Sequence, residues 1–146
     1  MRVEAQSGFV LHSTPYRETR LLVDLFTHQY GRIRCVAKGF RKPNKKGISR
    51  AIFPFTEHQF SWQGKGELKT LTGSDAFGAP VFLQQETLFT GLYINELLFR
   101  LLHEHDPHEF LYQQYRRFVM QLADTGPDEL MLRRLEMLLL EELGYG

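Results

Sequence analysis

Several protein classes are excluded by what this sequence lacks. Cys35 is the only cysteine, so there is no disulfide framework and no cysteine-based zinc site, which suits a reducing compartment. No apolar run approaches the ~18 residues of a membrane-spanning helix, and the N-terminus has no secretory apolar core. There is no internal repeat, and no low-complexity tract apart from one basic stretch. No serine or cysteine stands in a context that suggests a nucleophile with its base and orienting group, and no glycine motif that would cradle phosphates occurs. An enzyme is therefore not expected, and neither is a cofactor. Over residues 38–50 acidic residues are missing altogether, whereas six of the thirteen are Lys or Arg.

What is present can build a core, since 146 residues with 42% apolar and 13% aromatic content suffice for one ordinary domain or two small ones. The net charge of +1 conceals an asymmetry: residues 1–80 carry thirteen Lys and Arg against six Asp and Glu, and residues 81–146 carry five against eleven. The halves are expected to do different jobs in a soluble cytoplasmic protein.

The basic stretch organises the first half. From Gly31 to Lys38 cationic and apolar residues alternate, so an extended strand puts Arg32, Arg34 and Lys38 on one face and Ile33, Cys35 and Ala37 on the other. The stripe continues into a loop that carries Arg41, Lys42, Lys45, Lys46 and Arg50, where Gly39, Pro43, Asn44 and Gly47 oppose regular structure. Unpaired ammonium groups are too costly to bury, so this surface is expected to face solvent and to grip a polyanion such as a nucleic acid.

Other strands are expected at residues 8–13, ended by Thr14-Pro15, at 19–27, at 56–62 and at 67–72. The glycine-rich residues 63–66 form the last hairpin turn. Five short strands in about seventy residues fit a closed barrel of the OB type. Beyond Leu83 the period changes to that of a helix. Ile94, Leu97, Leu98, Leu101 and Leu102 mark a first helix ending near His103. Asp106, Pro107 and Glu109 read as the cap and first turn of a second, which buries Leu111, Tyr115, Phe118, Val119 and Leu122. Residues 126–129 repeat that signal before a third helix with Leu132, Leu135, Leu139 and Leu143 on one side, widened by Met131 and Leu138, and Gly144 suits its C-terminal cap. The fold class is α+β: an OB barrel over residues 1–80 and a small antiparallel helical bundle over 81–146.

Ordered blocks of residues carry a resemblance. They are Val10-Leu11-His12, Tyr16-Arg17-Glu18, Leu25-Phe26-Thr27, Gly31-Arg32 and Val36-Ala37-Lys38-Gly39, then Gly91 to Leu98, Arg133 to Glu136 and Leu143 to Gly146. Together they resemble the RecO family of bacterial recombinational DNA repair over almost the whole chain. The resemblance implies binding of single- and double-stranded DNA, annealing of complementary strands, and a bacterial, nucleoid-associated location. The partners it implies are RecR, the acidic tail of the single-stranded DNA-binding protein and, indirectly, RecA. Family members usually continue past the point that matches Gly146, so the chain is expected to be a fragment or truncated form, with part of the face of Leu132, Leu135 and Leu139 left uncovered unless it pairs with another chain, and with the partner-tail pocket incomplete. Phe40 stands where the family commonly has a small residue and could add a stacking platform.

Remaining site readings are individual. Trp62 and Phe60 could stack on bases, although their alternation with polar residues places at least one of them in the barrel core. Lys65, Lys69, Arg17 and Arg20 are weaker phosphate candidates. Arg133 and Arg134 match the family's arginines near the partner-tail pocket, where a guanidinium could clamp a carboxylate. His103, His105, Asp106 and His108 include zinc-type ligands, but their spacing crosses an interhelical turn with a capping role of its own, so no metal is assigned. An RNA-binding OB module of translation or ribosome assembly remains an alternative on the same charge pattern, and a metal-dependent hydrolase using the histidine-rich turn is a third class.

Overall fold

The computed structural model describes residues 2–38 and 52–144. Five strands come first, β1 (Arg2–Tyr16), β2 (Arg20–Thr27), β3 (Gly31–Lys38), β4 (His58–Gln63) and β5 (Leu68–Ala76), followed by helices α1 (Gln85–Leu101), α2 (Glu109–Thr125) and α3 (Glu129–Glu142). The strands close into a barrel in the order β1-β2-β3-β5-β4, with β4 returning to β1 and only β3 and β5 parallel. This is the OB arrangement expected from the turns. No described helix is long and apolar enough to cross a membrane.

The run Phe9-Val10-Leu11 is apolar on both faces because both are buried. Val10 joins Val23, Leu25, Ile33, Cys35, Phe60, Trp62 and Leu71 inside the barrel. Phe9 and Leu11 point the opposite way, as alternation in a strand requires, and with Phe26 they enter a second core shared with Ile94, Leu98, Tyr112, Tyr115, Phe118 and Leu135 of the helices. Phe9 meets Tyr115 edge-on at a centroid distance of 4.9 Å, and Phe26 meets Tyr112 edge-on at 5.3 Å. Gly91 lets α1 come close, since a Cβ there would lie 2.7 Å from the Phe55 ring.

A second seam joins the α1–α2 connection to β3. Gly31 has a φ of +72°, and a Cβ on it would stand 2.4 Å from the Asp106 carbonyl oxygen. Only glycine tolerates both conditions at low cost. The adjoining backbone bonds directly, as the His105 N–H donates to the Arg32 carbonyl at 3.0 Å.

Three local expectations are corrected. Thr14-Pro15 does not end β1, because Pro15 pairs with Leu21 close to the end of the strand, where a missing N–H is tolerated. The residue that caps α2 is His108, and no side chain caps the helix. Asp106 lies instead 3.2 Å from the His108 Nε2, with Glu142 3.1 Å from Nδ1, so the imidazole ties the start of α2 to the end of α3. Among the described residues no three His, Cys, Asp or Glu side chains converge as a metal site would need. Finally, Leu135 and Leu139 are buried and Leu132 is half-buried, whereas Leu130, Met137 and Leu140 are the exposed apolar residues of α3. α3 is capped by Asp128, one residue past Pro127, which accepts from the Leu130 N–H at 3.0 Å and the Met131 N–H at 3.4 Å.

Candidate nucleic-acid interface

The alternation of β3 holds, but its cationic face is shared. Asp24 lies on β2 directly opposite Arg34. Arg32 Nη1 is 2.9 Å and Arg34 Nε 3.0 Å from the same Asp24 Oδ1. Arg32 also donates through Nε to the Leu102 carbonyl at 2.9 Å, lies 3.7 Å from Glu104, and sits over the Phe99 ring. Its side chain is 13% exposed. Arg32 is therefore a structural cation holding barrel to helices, which corrects its reading as a solvent-facing phosphate contact. Arg34 keeps 37% exposure. Its hydrogen bond to Asp24 raises its hold on its proton, and its charge is partly offset.

Trp62, 1% exposed, and Phe60, 0%, are both barrel core. Tyr30 packs edge-on against Trp62 at 5.5 Å. Their apolar rings fill the interior that the sequence divided between core and stacking, so neither offers a face to a base. Lys69 is also withdrawn: it is 7% exposed, stands in register with Cys35, and donates from Nζ to the Gly64 carbonyl at 3.2 Å. The long stem follows the barrel wall while the head finds a carbonyl at the rim.

Two exposed cations remain from β3 and the β4–β5 turn, Lys38 and Lys65. Lys38 does not stand alone. It pairs across the ladder with Arg20, and Arg20 pairs with Tyr16, so one row crosses three strands at this end of the barrel. Arg17 adds a guanidinium 5.3 Å above the Tyr16 ring. The sequence offered Arg17 and Arg20 only as minor candidates; the turn between β1 and β2, read together with the β2–β3 register, is the signal that groups them with Lys38. Phe40, Arg41, Lys42, Lys45, Lys46 and Arg50 lie outside the described residues.

A second surface lies between α2 and α3. A cleft of about 300 Å³ is walled by Phe118, Met131, Leu135 and Leu138 and flanked by Arg117 and Arg134. Neither arginine makes an ion pair among the described residues, so both guanidiniums are available to a carboxylate. Arg133 does not line this cleft; it is held along its own helix by Glu136 at 2.6 Å and Glu129 at 3.5 Å. Arg117 was not recognised in the sequence because adjacent Arg116-Arg117 reads as an ordinary charged helix face.

Residues 1–79 match the family described as "Recombination protein O N terminal", and residues 84–146 match "Recombination protein O C terminal". The chain belongs to the RecO family. It is 46% identical over 146 residues to "DNA repair protein RecO" of Nitrosospira multiformis, covering 99% of this chain and 59% of that RecO. The RecO of Methylococcus capsulatus is 44% identical over 145 residues, with 60% of its length covered. That of Haemophilus influenzae strain 86-028NP is 44% identical over 146 residues, with 61% covered. The chain thus spans about three fifths of the length of these RecO relatives.

Proposed function

We propose that this chain is the strand-binding and partner-binding part of a recombination mediator. It binds single- and double-stranded DNA without sequence preference and anneals complementary strands. In recombinational repair on the bacterial nucleoid it works with RecR and helps RecA onto strands covered by the single-stranded DNA-binding protein. Membership in the RecO family across both halves of the chain carries this reading. Strand contact is assigned to residues 1–80 and partner contact to residues 81–146.

The physical basis is charge neutralisation rather than bond chemistry. Two strands repel through their phosphates, and cations that cover one of them remove the repulsion while leaving base edges free to pair. Lys38, Arg20, Arg17 and Lys65 supply the described part of that surface, and Arg41, Lys42, Lys45, Lys46 and Arg50 follow Lys38 in the chain. On the helical half, Arg117 and Arg134 beside an apolar cleft suit a peptide tail that ends in acidic and apolar residues.

The test is a salt-titrated binding curve with single-stranded DNA. Changing Lys42, Lys45 and Lys46 together to Ala is expected to weaken binding to all sequences alike and to flatten the log–log salt slope by ~0.7 per lost contact. An unchanged slope, or a clear preference for matched RNA, would overturn the reading.

A further inference from the structure

A cleft of about 250 Å³ opens at the seam of β1, β2 and α1, and Pro54 and Ile52 close one side of it. Its walls are aliphatic, from Val10 and Val23 in the strands to Leu92 in α1, and its polar side chains are His12, Ser13 and Asn95. Asn95 is the informative one. It is 1% exposed, and its Oδ1 accepts from the Tyr115 hydroxyl at 2.5 Å. With Oδ1 taken up by that hydroxyl, Nδ2 has no partner among the described residues. Buried amide N–H groups are seldom left unpaired, so this one calls for an acceptor beyond the described residues. Nearby, the His12 ring is stacked against Phe99 with centroids 4.5 Å apart, and β1 shifts register between Val10 and His12.

The cleft adjoins the cationic row. Leu21 lines it and follows Arg20 in the chain. Ser13 lies three residues before Tyr16, a distance of about 10 Å along a strand, and Tyr16, Arg20 and Lys38 are cross-strand neighbours. A flat group with a hydrogen-bond acceptor, attached to an anionic backbone, matches this combination better than an apolar peptide side chain, which would leave the Asn95 donor unmet.

We propose that this cleft is a subsite for one unstacked base of a single strand. The ring lies between the aliphatic walls, a base carbonyl or ring nitrogen accepts from Asn95 Nδ2, and the attached phosphates run over Arg20 and Lys38. The inference rests on the strand-binding reading above and adds a specific consequence: a base inside a duplex cannot enter, so the site favours single strands by shape and not by sequence.

The experiment compares a thymidine oligomer with one of equal length in which several positions are abasic, so that only the sugar–phosphate chain is common to both. The unaltered protein is expected to bind the base-bearing oligomer at least about fivefold more tightly, as one net hydrogen bond of about 1 kcal/mol would give. Leu92→Trp, at an exposed position at the cleft, is expected to erase that ratio while leaving abasic binding unchanged, and Asn95→Asp, which keeps an acceptor for Tyr115 but alters the amide donor, is expected to lower it. In the unaltered protein, the Asn95 side-chain amide resonance is expected to shift with the base-bearing oligomer and not with the abasic one. Equal affinity for the two oligomers, an unmoved amide resonance, or a ratio that survives in both variants overturns the base subsite and leaves strand binding standing. Binding of neither oligomer overturns the strand-binding reading itself, and the subsite with it.

Discussion

Arg32 Nη1 lies 2.9 Å from Asp24 Oδ1, while Nε of the same guanidinium donates to the Leu102 carbonyl just beyond α1. One side chain therefore connects β2, β3 and the α1–α2 connection. Asp24, only 3% exposed at its side chain, serves Arg34 as well. The residue that looked in sequence like the first cation of a ligand surface is the one that fixes barrel to helices.

Arg32→Ala would leave the buried Asp24 carboxylate with Arg34 alone and strand the Leu102 carbonyl. Breaking a buried pair by removing one partner costs ~3–5 kcal/mol. Because Arg34 remains, a loss of about 3 kcal/mol is expected, seen as a lower urea midpoint with an unchanged slope. The salt dependence of single-strand binding is expected to stay as it was, which separates this residue from Lys42, Lys45 and Lys46.

Gly31→Ala is expected to cost more than about 2 kcal/mol, since the left-handed backbone alone accounts for ~1–3 kcal/mol and the added Cβ would lie 2.4 Å from the Asp106 carbonyl oxygen. Gly66→Ala is the control. A Cβ there meets nothing within 4 Å, and the change is expected to stay within ~0.5 kcal/mol. Thermal unfolding of the two variants side by side checks the contrast.

Burial pushes the Cys35 thiol up to about 12, and Asp24 adds to the effect. The thiolate is the reactive form, so near neutral pH the folded protein is expected to resist maleimide labelling. In increasing urea, labelling is expected to follow global unfolding. Rapid labelling without denaturant would show that the barrel interior opens locally.

Tyr112 and Tyr115 are both held neutral by burial, well above the ordinary tyrosine range, and Tyr112 also donates to Glu57 at 2.5 Å. Because the folded-state values lie above the unfolded one, their contribution is complete below pH ~10, the unfolded tyrosine value, and is lost as the pH rises beyond it. Stability is expected to fall steeply on the alkaline side, with the tyrosinate absorbance of these two residues appearing together with unfolding. Tyr112→Phe is expected to reduce that steepness, at the cost of leaving Glu57 with Arg116 alone, 3.7 Å away.

The periodic parts of this fold were legible in the sequence because periodicity reports burial directly. Ile33, Cys35 and Ala37 did face the barrel interior, and Leu111, Tyr115, Phe118, Val119 and Leu122 did form the buried side of α2. The site was less legible, because a charge pattern shows which face a cation takes and not what stands opposite it. Asp24 lies eight residues before Arg32 in the chain, and only the β2–β3 register brings the two together. Trp62 and Lys69 failed as surface residues for a related reason: in a barrel this small the inward positions of β4 and β5 must be filled, even by an indole or the stem of a lysine. The grouping of Tyr16, Arg20 and Lys38, and the pairing of Arg117 with Arg134, likewise depend on neighbours distant in sequence.

Phe9, Leu11 and Phe26 turn outward from the barrel into the core that the helices complete. A polypeptide stopped at residue 79 would keep everything that identifies the N-terminal family segment and yet display a sticky aromatic wall to water. Such a fragment should aggregate or recruit a substitute cover, so dissecting this protein for binding studies calls for point substitutions on the intact chain, not for excised halves.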